Sequence, residues 1–247
     1  MTRKQSKQKQ PKREDKQVKG ENKIAERVLD DKTVEVLVSL LNGHAIDSLD
    51  YPVAGGKEAI VYRASSRDGF KAVKIFKYET TSFHKMFDYV YGDPRFYKPS
   101  RQRRPLIKLW ARKEYANLKT AHAAGVAVPE PFACRDNVII MEFLGVGGVQ
   151  SALLNEVILE DPAATFKEIV ENMRKTHQAG LVHADLSAYN IIIHDGKPRL
   201  IDWGQAVSLK HPRSREFLAS DVRNVVKYFN RLGVNADEDK ILETVMN

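Results

Sequence analysis

A chain of 247 residues can bury one large core or two smaller lobes. Its 43% hydrophobic and 29% charged residues suit a globular protein, no apolar run approaches the length of a bilayer span, and the polar N-terminus lacks the apolar core of a secretory signal. One cysteine, Cys134, excludes an intrachain disulfide and a cysteine zinc site and suits a reducing, cytoplasmic setting.

The net charge of +8 is concentrated at one end: residues 1–20 carry eight Lys and Arg against Glu14 and Asp15, with only Met1 and Val18 apolar. Such a tract reads as a disordered tail, either solubilising or an arm for a polyanion such as RNA or a ribosomal particle. Residues 21–50 read as a helical extension, with Ile24, Val28, Leu37, Leu40 and Leu41 at helical spacing before Gly43. From residue 51 to 144 the pattern is that of a strand-rich lobe. Ile60 and Tyr62 share a strand face, Arg67-Asp68-Gly69 reads as a turn, and Ala72, Lys74 and Phe76 alternate on the next strand. Residues 80–104, with Gly92, Pro94, Pro99 and the basic Lys98, Arg101, Arg103 and Arg104, read as a loop. A helix begins at Pro105, with Trp110, Glu114 and Leu118 four apart, and then comes the strand "VIIMEFLG".

Residues 145–247 read as a second, mostly helical lobe. Asp161-Pro162 is an N-cap followed by proline at the first helical position, and Phe166, Ile169, Val170 and Met173 form the buried stripe. "NIIIHDGKPRLIDW" reads as a hairpin turning at Asp195-Gly196, with His194 a surface residue. The last long helix buries Val222, Val225, Val226 and Phe229, and Asp221 near its start either caps it, as Ser220-Asp221 suggests, or anchors the backbone of the loop that carries Asp185; the cap is the preferred reading.

Three anomalies carry the chemistry. Lys74 points where apolar neighbours point and needs an anion; Glu114 lies on an apolar helical stripe and needs a cation; as a pair they cancel. In "LVHADLSAYNIII", Asp185 and Asn190 stand before a buried strand, and the hairpin brings Asn190 and Asp202 to its open end. Oxygen ligands in that number suit a magnesium ion that shares phosphate oxygens. His183 reads as a packed core histidine that supports the loop. A lysine held by a glutamate, followed by H-x-D-x-x-x-x-N and a further acid, is the layout of a kinase ATP site, and "AGGKEA" (residues 54–59) lies where a phosphate-covering loop would be.

The segments "GGKEAIVY", "AVKIFK", "YVYGDPRF", "LWARKEYANL", "VPEP", "LVHADLSAYNIII", "LIDWGQAV" and "FLASDVRNVVKYF" resemble the RIO family of atypical serine/threonine protein kinases, type 1 branch, in its archaeal form with a short C-terminus. The resemblance implies an α+β, two-lobed, trimmed protein-kinase-like fold with ATP and Mg2+ (or Mn2+) as cofactors. Gly55, Gly56, Lys57 and Glu58 would cover the phosphates, Lys74 would contact them, and Glu114 would hold Lys74. Met141, Glu142 and Leu144 would form the adenine hinge. Asp185 would be the catalytic acid, and Asn190 and Asp202 the metal ligands. The family is linked to small ribosomal subunit maturation, so pre-ribosomal particles or rRNA are implied partners. Some members act as ATPases through a phosphorylated metal-binding aspartate, here Asp202. Two positions depart from the family: Ala54-Gly55 stands where Ser-Thr is usual, and Ala188 where Glu is common. With 45 residues after Asp202 and no A-P-E motif, ordinary peptide docking is not expected, and Thr80, Thr81, Ser82 and Ser100 are candidates for autophosphorylation. Two other readings fit parts of the pattern: an aminoglycoside-type small-molecule phosphotransferase, and a non-catalytic RNA-binding assembly factor.

Overall fold

The computed structural model describes residues 29–79, 83–96 and 99–247. The basic tail, Ile24 and Val28 of the extension, and Thr80, Thr81 and Ser82 lie outside them. Five antiparallel strands, β1 (Ser48–Gly55), β2 (Ala59–Ser66), β3 (Gly69–Phe76), β4 (Pro131–Arg135) and β5 (Val138–Glu142), form one sheet in the order β1-β2-β3-β5-β4. Helix α1 (Asp31–Asn42) covers one face of it. Its first turn is closed by Asp30, whose carboxylate accepts the Thr33 N–H at 2.9 Å.

Strand alternation sends Val73 and Ile75 toward α1, and Lys74 and Phe76 toward the opposite face. That face is covered by α3 (Arg103–Ala123) and by α2 (Phe83–Tyr91). Helix α2 corrects the expectation of a loop over residues 80–104. Met86, Phe87 and Val90 follow helical spacing, and Met86 and Val90 are fully buried; the glycine and prolines that suggested a loop come only after its last turn. Gly92 then lies so close to His211 that a β-carbon there would sit 2.1 Å from the imidazole Nε2, so only glycine permits this contact with the second lobe.

After β5 comes a small hairpin, β6 (Gly145–Val146) and β7 (Val149–Gln150), which turns on the left-handed Gly147 and Gly148. It leans on the first lobe: Tyr51 Oη and Arg63 Nη1 donate to the Gly148 carbonyl at 3.1 and 3.2 Å. The second lobe packs α4 (Pro162–Gln178), α5 (Ser214–Asn230) and α6 (Glu238–Met246) around the short pairs β8 (Leu181–Val182) with β11 (Val207–Ser208) and β9 (Ile191–His194) with β10 (Lys197–Leu200). Asp161 caps α4 by accepting the Ala164 N–H at 2.9 Å. His194 is not a free surface residue: its ring lies 2.9 Å from the Ser151 hydroxyl and its side chain is 12% exposed.

Candidate active site

Lys74 and Glu114 meet where β3 passes under α3. Helical spacing stacks Trp110, Glu114 and Leu118 on the buried face of α3, each at most 2% exposed, and strand alternation aims Lys74 at the middle one. Lys74 Nζ donates to both Glu114 oxygens, at 2.6 and 2.9 Å, and also to Asp202 Oδ1 of the second lobe at 3.0 Å. Burial works against the ammonium, but the charges of Asp202 and Glu114 outweigh it and hold Lys74 protonated, above the ordinary lysine range. Burial pushes the Glu114 carboxyl up to about 7 against the pull of Lys74, and the neighbouring charge of Asp202 adds to the rise.

The hairpin sets the other half of the cleft. Asp195 and Gly196 both adopt positive φ (50° and 72°), giving the tight turn, and the register pairs Ile191 with Leu200. Beyond that pair, the Asn190 carbonyl accepts the Ile201 N–H at 3.0 Å, so Asn190 and Asp202 leave the hairpin at the same end. Asn190 Nδ2 donates to the Asp185 carbonyl at 2.7 Å and to its Oδ2 at 3.3 Å, which ties Asn190 to the loop before it. Gln205 Nε2 donates to the same Asp185 oxygen at 2.7 Å. His183 is 2% exposed, donates from Nε2 to the Ile201 carbonyl at 3.0 Å and packs edge-on against Trp203. Burial lowers its imidazole to about 4, so it is neutral and supports the loop rather than exchanging protons.

The two cleft carboxylates are driven apart. For Asp185, burial and then the charge of Asp202 raise the carboxyl above the ordinary range, against Lys85 and the Asn190 hydrogen bond. For Asp202, burial also acts upward, but Lys74, His183 and the Gly204 N–H outweigh it and hold the carboxyl below that range. Asp202 keeps 47% side-chain exposure on the cleft side.

Asp221 takes the second of its two readings, the loop anchor, and not the preferred helix cap. Helix α5 begins at Ser214, so Asp221 lies within it, 2% exposed, and its oxygens accept the N–H groups of Ala184 and Leu186 at 2.8 Å each. It anchors the backbone on both sides of Asp185. Burial raises its carboxyl to about 8, the two N–H donors acting downward and the charge of Asp185 upward. A carboxyl whose folded pKa is raised contributes stability that is complete below its unfolded value and is lost as pH rises through the folded value. Wild-type melting temperature is therefore expected to fall between about pH 5 and pH 8 more steeply than that of Asp221→Asn, which carries no titrating group there. Parallel slopes in thermal melts of the two proteins would refute this.

The remaining predicted residues lie at the β1–β2 turn and at, or just after, the end of β5. Gly55 and Gly56 sit at the β1–β2 turn; no packing excludes a β-carbon at Gly55, and the space above the pair is open. The Gly56 N–H donates to the Ala59 carbonyl at 2.9 Å, and its own carbonyl accepts Lys77 Nζ at 2.7 Å. Lys57 is exposed, and Glu58 is half-buried with its charge felt at Glu114. Met141 and Glu142 end β5; Glu142 Oε2 accepts the Glu130 N–H at 3.1 Å, and the buried Leu144 passes its carbonyl to the Ser151 N–H at 2.9 Å.

Three residues escaped the sequence reading. Gln205 follows Asp202 closely yet gives no periodic signal, while Lys113 and Asn117 lie one turn apart on α3 and are both fully buried. Each donates to backbone carbonyls of residues 203–206. The buried lysine next to Glu114 was the available clue, and its partner lies some ninety residues away.

A divalent cation fits the donor set. Asn190 commits its nitrogen to Asp185, which leaves its amide oxygen as the free end, and Asp202 gives one oxygen to Lys74 and opens toward the cleft. Among the described residues no group of three His, Cys, Asp or Glu side chains is gathered at metal-binding spacing. A hard cation that completes its shell with phosphate and water, as magnesium does, matches such a sparse oxygen set.

The five-stranded sheet joined to a helical lobe, with a lysine–glutamate pair facing an Asp–Asn–Asp set, defines a trimmed protein-kinase-like fold. A Rio2 kinase of Chaetomium thermophilum, solved as its ADP/Mg2+-phosphoaspartate complex, superposes with a TM-score of 0.64 at 21% identity, over 85% of this chain and 65% of that one. The RIO domain family model matches residues 60–241, and the chain belongs to this family. The RIO-type serine/threonine-protein kinase Rio1 of Haloferax volcanii is 43% identical over 90% of this chain and 77% of its own length. That of Methanocaldococcus jannaschii is 36% identical over 87% and 74%. The Caenorhabditis elegans serine/threonine-protein kinase RIO1 is 38% identical, and this chain spans 44% of it. Among the described residues no helix is long and apolar enough to cross a membrane.

Proposed function

We propose that the chain is an ATP- and Mg2+-dependent RIO-type serine/threonine kinase, with ATPase activity, that works in the cytoplasm on small ribosomal subunit precursors. The observation that carries this reading is the bridging lysine: Lys74 Nζ lies within 3.0 Å of a carboxylate from each lobe, in a cleft floored by Asn190 and Asp185. Lys74 is the donor for the nucleotide phosphates, and Glu114 keeps it charged and aimed. Bound Mg2+ would be held by Asn190 and Asp202 and would supply charge neutralisation on the transferring phosphoryl group.

The divergence of the two carboxyls supports a separate role for each. Asp185, pushed upward, accepts the proton of the attacking serine or threonine hydroxyl as its oxygen bonds to the γ-phosphorus and ADP departs. Asp202, held ionised and half-exposed, is the group suited to receive a phosphoryl group itself in the ATPase cycle. The phosphoaspartate in the Rio2 complex supports that second route. The ribosomal role is supported by the eight cations of residues 1–20, which suit an RNA phosphate backbone.

Incubation with γ-labelled ATP and Mg2+, with and without small-subunit precursors, tests the reading. Acid-stable label on serine or threonine is expected from transfer, and hydroxylamine-labile label lost in Asp202→Asn from the phosphoaspartate route. A chain that neither binds ATP nor releases or transfers phosphate would sink the proposal.

A further inference from the structure

Segment 202–206 begins in a conformation that side-chain-bearing residues rarely adopt: Asp202 has φ 62°. Four hydrogen bonds from α3 hold the backbone of residues 203–206. Lys113 Nζ donates to the carbonyls of Gly204 at 2.7 Å and Ala206 at 2.5 Å, and Asn117 Nδ2 donates to those of Trp203 at 3.0 Å and Ala206 at 2.8 Å. Lys113 and Asn117 are both 0% exposed, and Asn117 Oδ1 has no partner among the described residues, so the amide is oriented by its donated bonds alone. The backbone also presses directly onto the helix: a β-carbon at Gly204 would stand 3.0 Å from Glu114 Oε2 and 3.0 Å from Trp110 Nε1.

We infer that Lys113 and Asn117 are positioning residues, which clamp the metal-binding segment to the helix that bears Glu114. Neither touches Lys74, Asn190 or Asp202 through a hydrogen bond; they act through the backbone that presents Asp202. The clamp fixes the spacing between the two carboxylates that share Lys74, so the α3 face and the segment after Asp202 move as one body. A buried lysine is an expensive way to pin a loop, since its ammonium loses water. Its reach to two carbonyls at once supplies a hold that an apolar side chain of the same volume lacks.

The inference rests on the cleft being a Mg2+–ATP site, and two independent readouts separate its failure from that of the functional reading. The chain has two tryptophans, Trp110 and Trp203, so in a Trp110→Phe background acrylamide quenching reports on Trp203 alone. Lys113→Met and Asn117→Ala are expected to raise that quenching at least threefold, because Trp203 is 1% exposed while the clamp holds. With Trp110 restored, both variants are expected to need at least tenfold more Mg2+ for half-maximal turnover, with KM for ATP at saturating Mg2+ within threefold of wild type and turnover recovered by excess Mg2+. A residue that merely stabilised the fold would lower melting temperature without shifting the metal requirement. If Lys113→Met does not fold, Asn117→Ala, which keeps the lysine, decides. Folded variants with unchanged quenching and unchanged Mg2+ requirement overturn the inference. A wild-type chain that fails to use Mg2+–ATP overturns the functional reading instead, and quenching then judges the clamp by itself.

Discussion

Lys74→Ala is expected to lower turnover by roughly 10²–10³-fold and to destabilise the fold by about 3–5 kcal/mol. The first effect comes from removing the donor aimed at developing phosphoryl charge. The second comes from burial: Glu114 is 2% exposed, and its two short bonds are both to Lys74 Nζ. Deleting one partner of such a pair leaves the other charge without water or cation. The stability loss carries a pH signature. Glu114 is already raised to about 7 in the intact cluster, by burial first and by Asp202 further down, with Lys74 opposing. Without the lysine the opposing pull is gone, and the carboxyl rises further. A raised folded-state pKa gives stability that is complete below the ordinary carboxylate range and lost as pH rises through the folded value. Up to about pH 7 the two proteins therefore share a slope. Above it wild type levels off while Lys74→Ala continues to lose stability, so the gap in melting temperature widens as pH rises above about 7. A constant gap above about pH 7, or turnover within threefold of wild type, would remove Lys74 from the centre of the site.

Asp202→Asn is expected to separate binding from turnover. The amide keeps the volume and can still accept from Lys74, and Lys74 retains both oxygens of Glu114. The side chain is 47% exposed, so its own burial is a small part of the fold's stability, and melting is expected to shift by no more than about 1 kcal/mol equivalent. Nucleotide affinity measured without Mg2+ should stay within a few-fold. What is lost is the ionised oxygen pair. In wild type, Lys74 and its neighbours hold that carboxyl ionised well into the acid range, against the effect of burial. Both proposed roles of Asp202, ligand and phosphoryl acceptor, need the anion. Mg2+-stimulated binding and hydroxylamine-labile labelling should both disappear, and turnover should fall by about 10³-fold. Undiminished labelling in Asp202→Asn would place the acceptor elsewhere and leave Asp202 a ligand only.

Lys74 and Glu114 show how far a linear pattern reaches. Each is a charge at an apolar position of a strand or helix whose period can be counted locally, and two such anomalies of opposite sign imply each other. The hairpin at Asp195-Gly196 is equally local, because its turn residues set the backbone and the backbone sets which residues share its open end. These signals, with the ordered motifs, were enough for the two-lobed fold and the family. Helix α2 was hidden because Gly92 and two prolines close behind it outweighed a stripe of three apolar residues.

At Asp221 the sequence left two roles open and favoured the wrong one, for a different reason. The pair Ser220-Asp221 has the chemistry of a cap, but the helix had already started at Ser214, and only the fold places that carboxylate under the Ala184 and Leu186 amides. The clamp of Lys113 and Asn117 lies further still beyond pattern, since its acceptors are backbone carbonyls, which every residue carries and no side-chain sequence marks. The sequence by itself thus determined which side chains must be neutralised in the core and at which end of the hairpin the acids gather. The tertiary structure alone decided which backbone each buried donor and acceptor holds, because the cost of an unpaired polar group is settled by whatever segment packs against it, however distant along the chain.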